Sequence, residues 1–431
     1  MSGRDPITST NSCRLACLRV GIYPRQMIDL AIVGAGVAGI SAGREAKRRG
    51  LGAIILEASN RVGGRVHSVQ WNGRQLDLGA GWLHSANRNE LVPLAEQLGL
   101  EIDRAPTPWR GQYRALGFSL SDQQAAYEAF ATFEEAVAGP QADDVAANAL
   151  PAAGKWNAFI DALSGYLNGT SLKNMSAADY SAYSEASTEC NWRLPASYGS
   201  LVAKLSAGLR IEHGFVVDKI DCDDRHVRLS CEGGSVAASA AVISISSNVL
   251  ASGAIRFLPQ VDDQLHAAAQ LPLGHVEKMF FALDEAEEFP NDAHLIGNPH
   301  SCETGSYMLR PMGVPVVEGF FGGDWVQDAS AEDLEALAAR ELGALLGRGF
   351  LARIRRISYS TWKSDRLFGG SYSYARPGKH GARSRLAEPV HHRLAFAGEA
   401  CSLSDFSTVH GAWESGIAAV EQLFGKVDHA G

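Results

Sequence analysis

The chain has 431 residues, 46% hydrophobic and 20% charged, with 45 glycines and 16 prolines, which is the profile of a folded globular protein and excludes disorder, collagen and coiled coil. Its length exceeds one ordinary domain and leaves room for two or three lobes around a large core. A net charge of −9 argues against a nucleic-acid partner, no apolar run reaches the roughly 18 residues of a membrane span, and seven cysteines without a CxxC pair fit reduced thiols in a cytoplasmic protein rather than a disulfide framework or a metal site.

Residues 1–26 mix Ser, Thr, Arg and Cys without a periodic apolar face and read as a disordered extension. Residues 15–22 are too interrupted by Cys, Arg and Gly for the apolar centre of a secretory signal, and Met27, just ahead of the first strand, is a candidate start. The pattern then changes. IDLAIV (28–33) predicts a buried strand, GAGVAG carries the GxGxxG spacing at Gly34, Gly36 and Gly39, and 40–49 predicts a helix stopped by Gly50. A second strand, 53–56, ends at Glu57. Strand, glycine loop, helix, strand and acid in that order define a Rossmann βαβ unit. Gly34 allows the tight turn, Gly36 lets the backbone approach a pyrophosphate, Gly39 permits close helix–strand packing, and Glu57 is placed to accept from an adenosine ribose. A second glycine pair, Gly63-Gly64, followed by Arg65, offers another close approach and a guanidinium fork for phosphate.

GAGVAGISAG…LEASNRVGGRV resembles the FAD-binding signature of the flavin-containing amine oxidases, a family that includes monoamine, polyamine and L-amino acid oxidases and lysine-specific histone demethylases. The far end of the chain, LAFAGEACSLSDFSTVHGAWESGIAAV (394–420), is similar to that family's closing segment. The resemblance implies that Gly398 gives room for the cofactor and that Glu399 contacts the ribityl–phosphate region. It also implies that Thr408 and Val409 open a helix whose N-terminus meets the flavin and steadies negative charge there. Likewise, Asp77-Leu-Gly79-Ala80-Gly81-Trp82-Leu-His resembles the loop over the isoalloxazine, and Val217 in GFVVDKI the valine near adenine.

For the reacting centre the resemblance implies four residues. Lys278, in LGHVEKMFFALD, matches the lysine whose ammonium holds a water against flavin N5 and assists re-oxidation. Trp362 matches a tryptophan near the ring, and Tyr372, in GGSYS, an aromatic wall of the substrate cavity. Thr408 stands where monoamine oxidases place a second tyrosine, so a complete two-tyrosine cage is in doubt. TVHGA looks more like the polyamine oxidase and demethylase branch. Ser371 stands where covalently flavinylated members carry cysteine, which implies non-covalent FAD.

The fold class expected is α/β: a Rossmann-like FAD-binding domain from 27–110, 198–265 and 355–431, with an inserted α+β substrate domain from 111–197 and 266–354. Within the latter, 121–139 predicts a helix with Ser121 and Gln124 as its capping box, and 330–346 a second helix with Leu334, Leu337, Leu342 and Leu345 on one side and Gly347 as stop. The expected reaction is hydride transfer from the carbon beside an amine nitrogen to flavin N5, imine hydrolysis, and re-oxidation by O2 to H2O2. An amine dehydrogenase with a protein or quinone acceptor, an L-amino acid oxidase, and a catalytically silent flavoprotein are the alternatives. The amino-acid reading needs an arginine for the carboxylate, for which Arg110, Arg193 and Arg310 are candidates. The substrate stays open among secondary amines, short polyamines, N-heterocyclic alkaloids and amino acids.

Overall fold

A computed structural model describes residues 28–426, so the expectations for 1–26 and for Met27 as a start lie outside the described residues. The predicted βαβ unit is present: strand Ile28–Val33, helix Val37–Arg48 and strand Ala53–Glu57. Ile28–Val33 lies between Gly234–Ile243 and Ala53–Glu57, parallel to both. Gly234–Ile243 is long enough for its other edge to serve two partners. Its first half pairs antiparallel with Val227–Cys231 and its last three residues pair parallel with Leu394–Phe396. That closing strand is how the C-terminal motif reaches the glycine loop. The resulting eight-stranded sheet is completed by Lys219–Cys222, Arg256–Leu258 and Ile211–His213.

Against this sheet pack helix Val37–Arg48 and the last helix, Val409–Phe424, locked to each other where Ser41 Oγ donates to the Trp413 carbonyl at 2.7 Å. The second sheet is antiparallel and ordered Ala293–Ile296, Gly305–Leu309, Val316–Gly322, Val276–Leu283, Ile354–Tyr359. The division by sequence put 355–359 with the FAD-binding part. Its hydrogen bonds to Val276–Leu283 assign that strand to the second sheet instead. One face of this sheet, with Met279, Phe281, Leu295, Tyr307, Val317 and Phe321, is covered by helix Ala331–Leu346, which buries Leu334, Leu337 and Leu342. Gly347 ends it, as predicted, and Ser330 and Asp333 form a capping box at its start.

The other predicted cap is displaced. The N-cap of helix Leu120–Val137 lies two residues early: Ser119, not Ser121, is the extended residue whose hydroxyl accepts the Asp122 N–H at 3.1 Å. Asp122 takes the place expected of Gln124, which instead donates to Glu128. Two serines with an acid or amide three residues on offered the same signal, and the exposed Leu120 hid the earlier one.

Candidate active site

The glycine loop is shaped by three different demands. Gly34 has φ +97°, and a Cβ on Gly39 would lie 1.9 Å from the Gly34 carbonyl, so the helix can sit on the strand only without one. A Cβ on Gly36 would meet nothing within 4 Å, because it faces open space. Gly63 bridges to Gly36, bringing the second glycine pair alongside the first. Glu57 closes the loop from below: its two oxygens accept the Ala35 and Ser59 N–H groups at 2.6 and 2.7 Å. A carboxylate has about four acceptor positions, so capacity for ribose hydroxyls remains.

Arg65 does not point its fork into open space. It donates to the Ser371 carbonyl and to Glu399 Oε1, the latter at 2.9 Å. Glu399 is 6% exposed and also accepts from the Ser373 hydroxyl at 2.6 Å and the Ser407 N–H at 3.0 Å. Burial pushes its carboxyl up, but Arg65, Ser373, Arg383 and the Ser407 N–H outweigh that and hold it below the usual carboxylate range. Gly398, with φ +145°, again faces open space. Val217 is buried in the connection between strands Ile211–His213 and Lys219–Cys222.

Gly79 and Ala80 lie on the Arg65 segment through Gly79 N to His67 O and Ala80 N to Arg65 O, and Trp82–Leu83 pairs with Trp192–Arg193. This loop meets Lys278 at its centre. The Lys278 ammonium donates to the Asp77 carbonyl at 3.1 Å, and a Cβ on Gly81 would lie 3.4 Å from Nζ. Lys278 is 7% exposed, so it is no solvated strand lysine. Trp362 reaches the same loop: its indole N–H donates to the Leu78 carbonyl at 3.3 Å.

Aromatic rings continue outward from Lys278. Phe320 lies 5.9 Å from its Nζ and 6.0 Å from Tyr166, and the Tyr372 hydroxyl donates to the Tyr166 carbonyl. On the other side Trp82 meets Trp109 edge-on at 4.5 Å, and Trp109 lies 6.2 Å from His84. Burial pulls the His84 imidazole down to about 4 and pushes the Asp77 carboxyl and the Tyr166 and Tyr372 phenols up, so the region favours neutral groups. Thr408 is the N-cap of helix Val409–Phe424: its hydroxyl donates to the Asp405 carbonyl and accepts the Gly411 N–H. It therefore sets the start of that helix. Ser371 is tied back to the Gly274 carbonyl.

Residues 37–424 match the model of the family described as flavin containing amine oxidoreductase. The chain belongs to that family. Among its relatives, polyamine oxidase 2 of Arabidopsis thaliana is 29% identical over 437 residues, covering 91% of this chain and 87% of that protein. Lysine-specific histone demethylase 1 homolog 2 of the same plant is 26% identical over 92% of this chain and 58% of its own length. Among solved structures, putrescine oxidase bound to putrescine has a TM-score of 0.77 at 16% identity, covering 94% of this chain and all of that one. Cyclohexylamine oxidase from Brevibacterium oxydans IH-35A has a TM-score of 0.71 at 18% identity, covering 92% of this chain and 99% of that one. This amine oxidoreductase is thus an FAD enzyme acting on CH–NH or CH–NH2 donors. The cradle fits that cofactor, since Gly36 and Gly398 leave room where neighbouring glycines are closely packed.

The three arginines considered for a substrate carboxylate are committed elsewhere. Arg193 is buried between Asp103 and Asp292, Arg110 pairs with Glu189 in solvent, and Arg310 donates to the Phe289 carbonyl. Nothing in the sequence pattern singles out Arg383, Ser373 or Trp109, whereas Glu277 and Glu318 each leave a trace as a charge within an otherwise apolar strand. Among the described residues there is no cluster of metal-ligating side chains, and no helix is long and apolar enough to cross a membrane.

Proposed function

We propose that this amine oxidoreductase oxidises the carbon beside the nitrogen of a small aliphatic amine, in the diamine to short-polyamine range. Bound FAD supplies the chemistry: it accepts hydride at N5 and passes the electrons to O2 as H2O2, while the imine product hydrolyses in water. Gly34, Gly36, Gly39, Glu57 and Val217 hold the adenosine and pyrophosphate end. Gly79 to Trp82, Gly398, Glu399 and the helix start at Thr408 and Val409 hold the other end, with Arg65 acting through Glu399. Lys278 keeps a water at the reacting position, Trp362 backs the loop, and Tyr372 walls the substrate. Among the described residues the FAD-binding part comprises 28–110, 198–265 and 360–426, and the substrate part 111–197 and 266–359. Free thiols at Cys190, Cys222, Cys231, Cys302 and Cys401 suit a cytoplasmic location.

The observation that carries this reading is the Lys278 ammonium against the Asp77 carbonyl, near the buried Asp77, His84, Tyr166 and Tyr372 side chains, whose burial favours their neutral forms. Such surroundings lower an amine's pKa, and the neutral amine, with its lone pair available, is the form that gives up hydride. The relatives named polyamine oxidase and the fold neighbour holding putrescine support the substrate range. The test is to bleach the yellow protein anaerobically with a panel of amines and then admit air while assaying peroxide. Bleaching by putrescine or spermidine with rapid recovery supports the proposal. Recovery only on adding a quinone makes the protein a dehydrogenase, and bleaching by amino acids alone rejects the substrate range.

A further inference from the structure

Strand Val316–Gly322 brings a carboxylate to the reacting lysine. In the register of the second sheet Lys278 faces Phe320 and Phe280 faces Glu318, so all four side chains share one side of the sheet, opposite the core of Met279, Phe281, Val317 and Phe321. Diagonally across the pair, Glu318 Oε1 lies 3.1 Å from Lys278 Nζ. The lysine side chain is 9% exposed and the glutamate 21%, so solvent screens the pair only partly. The other nearby carboxyl, Asp77, is engaged by the Ser68 hydroxyl and the Tyr198 N–H and offers the ammonium its backbone carbonyl instead. Two of the three N–H bonds of Lys278 thus have partners among the described residues, one of them an anion.

From this geometry we infer that Glu318 is a positioning residue that aims the Lys278 ammonium and offsets its charge, and so sets the reduction potential of the bound flavin. An uncompensated cation beside a redox group stabilises its reduced, more negative form, and a carboxylate in contact with that cation removes most of the effect. The inference rests on the placement of the flavin beside Lys278 proposed above.

The experiment compares the midpoint potential of the holoenzyme's flavin, read from its absorbance, in wild type, Glu318→Gln, Lys278→Met and the double variant. Glu318→Gln, which keeps a hydrogen-bond acceptor and removes the charge, is expected to shift the potential to a more positive value, and Glu318→Asp to restore it in part. In the Lys278→Met background only the carboxylate's own, more distant field on the flavin is lost and no ammonium is freed to turn towards it, so the same change is expected to shift it less. Glu318→Met, of similar volume, is the second variant should the amide fail to fold. An unchanged potential in Glu318→Gln, or an equal shift with and without Lys278, overturns the inference while leaving the proposed function standing. A potential indifferent to Lys278→Met as well means that the flavin does not lie beside this lysine, and then the site assignment itself fails.

Discussion

The carboxylate of Glu277 accepts the backbone N–H of Trp362 at 3.2 Å. It also accepts from the Lys363 N–H at 3.1 Å and from the Ser360 hydroxyl, so one buried side chain organises the whole turn at 360–363. Glu277 and Lys278 are consecutive, and strand alternation sends them to opposite sides of the sheet. A single strand thereby places the ammonium directly and the tryptophan through its supporting turn. Replacing Glu277 by Ala leaves buried donors without a partner and is expected to cost about 1–3 kcal/mol. Urea denaturation measures this cost. Glu277→Gln, which retains an acceptor, is expected to lose less, and an equal loss in both variants would reject the turn-holding role.

Arg383 and Asp179 form a bidentate pair, 2.6 and 2.8 Å, with both side chains 1% exposed. The guanidinium also donates to Ser373 Oγ at 3.0 Å, the hydroxyl that donates to Glu399, and stacks 3.5 Å over Phe406. Arg383→Met leaves a buried carboxylate uncompensated, with an expected loss of about 3–5 kcal/mol. Differential scanning calorimetry should show a much smaller loss in the double variant with Asp179→Leu, where no charge is stranded.

The two glycines of the first loop should separate folding from cofactor binding. Gly39→Ala places a methyl 1.9 Å from the Gly34 carbonyl and is expected to reduce soluble yield and lower the Tm of the apoprotein. Gly36 has φ −67° and open space around its missing Cβ, so Gly36→Ala should fold normally and retain less FAD on gel filtration. Full retention of FAD by Gly36→Ala would contradict the pyrophosphate role.

His294 is 5% exposed, and burial pulls its imidazole down to about 4 despite a contact with the Gly111 carbonyl. The unfolded chain, with an imidazole near 6.5, binds that proton more readily, so this stability is fully present above pH 6.5 and is lost as pH falls towards 4. The loss amounts to about 3 kcal/mol at most. His294→Gln should flatten the dependence of Tm on pH between 6.5 and 4 relative to wild type. Parallel curves would rule out this histidine as the source.

Much of the cofactor cradle was legible in the sequence because its residues are tied to local backbone geometry. Gly34 and Gly39 answer to a turn and a helix crossing only five residues apart, and Glu57 follows at the end of the next strand. Helix 330–346 was legible for the same reason, as its leucine face and its Gly347 stop are set by local spacing. Thr408 was placed at the right helix start, and its capping bond became visible only once the Gly411 N–H was located. Arg65 was read as a phosphate fork, since nothing nearby in sequence announces Glu399, 334 residues away.

By itself the sequence determined the βαβ unit, through short-range periodicity and turn chemistry, while the C-terminal segment and the site lysine Lys278 were implied by resemblance to a family. Tertiary structure alone decided which carboxylates meet which cations: Glu318 with Lys278, Glu399 with Arg65, and Asp179 with Arg383. Those pairings depend on strand register and on loops brought together by packing. A charged side chain carries no record in its neighbours of the partner that folding will bring to it.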